Sequence, residues 1–124
     1  MQRLLSASFF ICLPLLCQAQ PAVDVVNIRD NFIVAGIAAK QCNTVDAEKQ
    51  AFHDRNFTLV AKKALEQIVA RSPDAVPEEL RQQDLTHIEK LQDATFNLVR
   101  SEGCRSDKVK ALLRMYKIHE AIRF

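Results

Sequence analysis

The chain has 124 residues, 48% hydrophobic and 26% charged, a balance suited to one compact domain with a buried core. Its formal net charge is only +2, which excludes bulk electrostatic attraction to nucleic acid or to an anionic membrane. With two Gly and four Pro in the whole chain, little interrupts long regular elements.

The first 19 residues, MQRLLSASFFICLPLLCQA, do not read as part of a fold. Arg3 supplies a positive start, Leu4–Leu16 an apolar run, and Ala19 a small final residue. That is the pattern of a secretory signal peptide cut after Ala19. The apolar run is short of the ~20 residues that a membrane-spanning helix needs. Lipidation at Cys17 is the rival reading, disfavoured by Leu16 where a small residue is wanted. The expected mature protein is a single domain, residues 20–124, periplasmic or secreted. Losing Arg3 leaves 16 Lys and Arg against 15 Asp and Glu. The balance is uneven: residues 105–124 carry six cations and two anions, residues 20–104 ten and thirteen.

Four helical runs follow. Val23–Gln41 is apolar almost all round, through Val25, Val26, Ile28, Phe32, Ile33, Ile37 and Ala38, so burial on most of its faces is expected. Asn43 or Thr44 offers an N-cap for the second run, Val45–Ala70. There Phe57, Val60, Ala61, Ala64, Leu65 and Ile68 share a face at helical spacing. Ser72-Pro73-Asp74 reads as a turn, and Pro77 opens a third run to Ser101 with Glu78 and Glu79 near its positive end. Leu80, Ile88, Leu91, Thr95 and Leu98 align along it, and Gly103 is the expected terminator. Ser106 and Asp107 begin a fourth run to about Arg123, with Val109, Leu112, Leu113 and Tyr116 on one side. The fold class expected is all-α, a small four-helix up-down bundle.

Cys12 and Cys17 leave with the signal, so Cys42 and Cys104 are the two cysteines carried into an oxidising compartment. They lie 62 positions apart, which rules out a C-x-x-C redox pair and paired zinc knuckles. In an up-down bundle the end of helix one and the link between helices three and four fall at one pole. A Cys42–Cys104 disulfide is therefore expected, worth about 4 kcal/mol for so long a loop in the chain-entropy model.

Catalytic motifs are missing: no G-x-S-x-G, no Gly-rich phosphate loop, no H-E-x-x-H and no C-x-x-C-H. Ser72, Ser101 and Ser106 each sit at a helix end, where capping explains them. His53, His87 and His119 fall one to a helix without a Glu-x-x-His partner, and read as surface or half-buried side chains. No enzyme activity, no cofactor and no metal are expected. Asp84 sits among apolar positions of helix three and Asp54 on the apolar side of helix two. A buried carboxylate must be paired, neutralised or near water, and Arg29 is a candidate partner. Asn56-Phe57-Thr58 forms a glycosylation sequon, but inside a helix.

Some apolar side chains exceed what one buried stripe requires. Ala111, Met115, Ile118 and Ile122 form a second row on helix four, ending at Phe124. Phe52 and Leu59 form an extra pair on helix two. Beside Lys108, Lys110 and Arg114, the row on helix four fits a contact with a protein partner or a second copy of the chain, unless helix four is central and buries both of its stripes. The expected function is a small exported helical binding protein of inhibitor or immunity type, an analogy of general build alone. The alternative is a periplasmic acid-stress-type chaperone, with Asp54 and Asp84 as its pH-sensitive groups.

Overall fold

The computed structural model describes residues 23–123. The proposed signal segment, Cys12 and Cys17 included, lies outside the described residues. Four α-helices make up the domain: α1 Val25–Gln41, α2 Ala47–Arg71, α3 Pro77–Glu102 and α4 Asp107–Ala121. Among the described residues there is no strand.

The helix ends follow from local chemistry. Asp24 accepts from the amide of Asn27, Asp46 from those of Glu48 and Lys49, and Ser106 from that of Val109. Each side chain satisfies donors that the first helical turn leaves free. The cap of α2 is thus Asp46, not Asn43 or Thr44. Asn43 instead takes the left-handed conformation (φ 52°), which asparagine tolerates, and the Thr44 amide donates to the carbonyl of Ala39. Gly103 ends α3 at φ 79°, a conformation open to a residue without Cβ.

α1 is the central helix and packs against all three others, whereas α3 meets α2 and α4 only sparsely. Phe32, Ile33, Ala35, Ala38 and Ala39 of α1 are all buried. Small residues at 35, 36, 38 and 39 let the neighbouring helices approach its backbone closely. Ala35 and Ala39 meet Tyr116 of α4, while Ala38 meets Val99 of α3 and Val109 of α4. A helix apolar on nearly every face therefore occupies the middle. Helix four is not central: Val109 and Tyr116 are buried on one side, and Ala111 and Ile118 are exposed on another.

Contacts between helix ends set the packing. Gln67, late in α2, accepts from the amides of Val25 and Val26 and donates to the carbonyl of Val23 at the start of α1. Cys42, which caps α1, is joined to Cys104 between α3 and α4, with 5.8 Å between their Cα atoms. Asn56, early in α2, donates to the carbonyls of His119 and Ile122 at the end of α4, each at 3.0 Å.

Candidate functional site

Two clusters of polar side chains lie inside this frame. The first is built around His53 of α2 and His119 of α4. Position 53 runs in line with Asn56, Val60 and Ala64, all buried, at spacings of three and four residues. Position 119 follows buried Val109 and Tyr116, and half-buried Leu112 between them, at the same spacings. Helical geometry thus delivers both imidazoles to the core, where they are 6% and 7% exposed. The surface or half-buried placement expected for these two histidines is incorrect. Their polar lettering concealed that they continue the buried spacing of their helices.

The His119 ring stacks flat on Phe32 of α1, centroids 3.8 Å apart and planes 5° apart. His53 stacks on Tyr116 at 4.6 Å and lies 6.2 Å from His119. Gly36 of α1 makes room for it, since a Cβ there would stand 3.2 Å from Cε1 of His53. Nε2 of His53, Nδ1 of His119 and the Tyr116 hydroxyl are buried without a hydrogen-bond partner. Such groups are costly to bury, and more so when charged.

Burial, and to a lesser degree the nearby His53, push the His119 pKa down to about 4. Burial also pushes His53 below its ordinary value, a fall partly opposed by Asp54, whose carboxylate is 3.5 Å from Nδ1. Both imidazoles are therefore neutral at pH 7. Asp54 itself is exposed, not on the buried face, because it follows His53 by one helical step of 100°.

The second cluster surrounds Arg29, which is 2% exposed. Its Nη1 donates to both oxygens of Asp84 at 2.8 and 2.7 Å, and its Nε and Nη2 donate to Oδ1 of Asp30. His87 completes the chain, with Nε2 2.6 Å from Oδ2 of Asp30. An ionised carboxylate only accepts, so that nitrogen carries the proton. Burial alone would lower the Arg29 pKa, but the bonds to Asp84 and Asp30 outweigh it and raise the value above normal. Arg29 and Asp84 are thus partners, as a carboxylate among apolar positions requires. Asp30, Asp84 and His87 line one wall of an open groove of about 480 Å³ at this end of α1.

The surface residues singled out from sequence are distributed unevenly. Ile118 is 64% exposed and Ala111 is also exposed. Met115 is half-buried and packs against the Ala35–Ala39–Tyr116 cluster, and Ile122 is half-buried with its carbonyl held by Asn56. On α2, Leu59 is 46% exposed, but the Arg123 guanidinium lies 4.1 Å above the ring of Phe52. Phe124 lies outside the described residues. Asn56 of the sequon is buried with its amide nitrogen in two hydrogen bonds, so a sugar has no access to it in the folded chain.

Among the described residues, no three His, Cys, Asp or Glu side chains are grouped to hold a metal ion, and no helix is long and apolar enough to cross a membrane. No protein-family model matches the chain, and no curated protein or solved structure matches it.

Proposed function

We propose that this is a small exported protein, an up-down-up-down helical bundle, that binds a protein partner through the outer face of α4, in the manner of an inhibitor or immunity protein. The observation that carries the reading is Ile118, the most exposed large apolar side chain on α4. It lies four residues from Arg114 and one from Lys117, both exposed, with exposed Ala111 two turns earlier. An apolar spot bordered by cations suits a partner whose own apolar spot is bordered by carboxylates. Leu59 is a second exposed apolar residue, on α2. Export is supported by the sequence of residues 1–19, and the end contacts of the helices support the up-down order.

The test is affinity capture from the source cell's envelope, followed by measured binding of the captured protein to the native chain and to Ile118→Glu. Ile118→Glu should leave thermal unfolding within about 0.5 kcal/mol of the parent, as surface changes do. It should abolish binding, because an interface would have to desolvate an unpaired carboxylate. Binding by the native chain should also weaken as salt is added. Unchanged affinity in Ile118→Glu overturns the reading. Loss of a homodimer on sedimentation would instead identify the partner as a second copy.

A further inference from the structure

The two ends of α4 are held by different means. At its start, Cys104 is covalently tied to Cys42, and Val109 is packed without exposure against Ala38 and Val99. Toward its end, the helix is held by the flat stack of His119 on Phe32, the stack of Tyr116 on His53, and the two bonds from Asn56. The first set contains no titratable group. The second is built on two imidazoles with unpartnered buried nitrogens.

We propose that the C-terminal half of α4 is an acid-released latch: protonation of His119 and His53 detaches residues 116–122 from α1 and α2, while the Cys42–Cys104 disulfide keeps the start of the helix in place. The proposal stands apart from the partner-binding reading, and its test uses no partner.

The charged groups around the pair offer little compensation. From α1 the facing group is Lys40, a cation that opposes protonation of His53. From α2 it is Asp54, exposed and 3.5 Å from a nitrogen that already faces it. From α4 it is Glu120, which acts on His53 and on Tyr116. Asp46, at the cap of α2, acts on Tyr116. α3 contributes the uncharged Gln92 to the groove beside His53. No carboxylate makes a hydrogen bond to His119 among the described residues, and the ionisable group that acts on it is the other histidine of the pair. Two imidazolium ions with ring centres 6.2 Å apart would repel one another. The stack on Phe32 would favour one cation, yet a ring face cannot replace the water lost from two.

The chain carries its own reporter. Tyr116 is its single tyrosine and there is no tryptophan, so tyrosine fluorescence and near-ultraviolet circular dichroism read the latch. The disulfide-bonded protein is titrated from pH 7.5 to pH 3. Both signals should change reversibly between about pH 6.5 and about pH 4. Far-ultraviolet dichroism should retain most of its helical signal over the same range. In His119→Phe, whose ring can keep the stack, the change should be lost above about pH 4. Amide exchange in the unmodified protein supplies a second measurement: protection at residues 116–122 should collapse at low pH while that at 109–112 persists. A Tyr116 signal that stays flat to pH 3 overturns the proposal. So does a transition unchanged in His119→Phe, or one in which protection is lost along all of α4 together.

Discussion

Arg29 on α1 and the pair His53–His119 packed beside that helix are buried to similar depths, and the chain treats them in opposite ways. Arg29 cannot discard its charge, so two carboxylates surround it with four hydrogen bonds, and a fifth links Asp30 to His87. The histidines can discard theirs, and they are packed as aromatic rings among Phe32 and Tyr116 with nitrogens left unsatisfied. A permanent charge in a core demands partners, whereas a titratable one can enter the core by giving up its proton. The cost of the second solution depends on pH; that of the first depends on keeping the partners.

Removing Arg29 should therefore have the largest effect. Arg29→Ala leaves Asp84 and Asp30 without their cation and should cost about 3–5 kcal/mol in denaturant unfolding at pH 7. Arg29→Met combined with Asp84→Leu should recover much of that loss, since a buried pair is readily replaced by apolar side chains of similar size. A loss below about 1 kcal/mol in Arg29→Ala would mean that the network is not holding a buried charge.

Acid should have the next largest effect, and it acts on the other cluster. The His119 pKa is about 4 in the fold against 6.5 unfolded, so between those values the unfolded chain binds more protons. Stability is then greatest above pH 6.5 and falls as pH drops toward 4, by about 3 kcal/mol for this one group. His53, also lowered, adds to the same slope. Urea unfolding at pH 7 and pH 4 measures it, and His119→Phe should flatten the dependence.

Asn56 lies where the histidine cluster meets the end of α4. Asn56→Ala frees two carbonyls of the last turn and should cost about 1–3 kcal/mol, without changing the pH slope. The smallest effect is expected at Gly36. Gly36→Ala improves helix propensity by about 1 kcal/mol but presses a methyl group against the His53 ring, so the net change should stay within about 1 kcal/mol. A larger loss, measured by thermal unfolding, would show that the ring has no freedom to shift and that the stack on Tyr116 is rigid.

Much of the architecture was legible in the order of the residues. Apolar spacing, Pro77, Gly103 and Ser106 located four helices, and all of their ends are within two residues of the expected boundaries. The all-round apolar character of α1 implied burial on most of its faces, and two cysteines at matching ends implied the Cys42–Cys104 bond. These features were readable because helix periodicity, capping and chain connectivity are local properties. A carboxylate among apolar positions had to find a cation and Arg29 was a candidate, but its pairing with Asp84 rather than Asp54 was not legible.

The assignment of His53, Asn56 and His119 to the core belonged to the tertiary structure. Each continues the buried spacing of its helix, but polarity alone argues for the surface. Whether such a side chain is inside depends on what the neighbouring helices present to it. Gly36 leaves space for one ring, Phe32 offers a flat face to the other, and the end of α4 offers two carbonyls to Asn56. Those partners lie 17, 87 and more than 60 residues away in the chain, distances over which no local pattern carries information. Local residue patterns specified the four helices and the staple; three-dimensional packing decided which polar groups are buried, because burial is a property of the assembled neighbours and not of the residue.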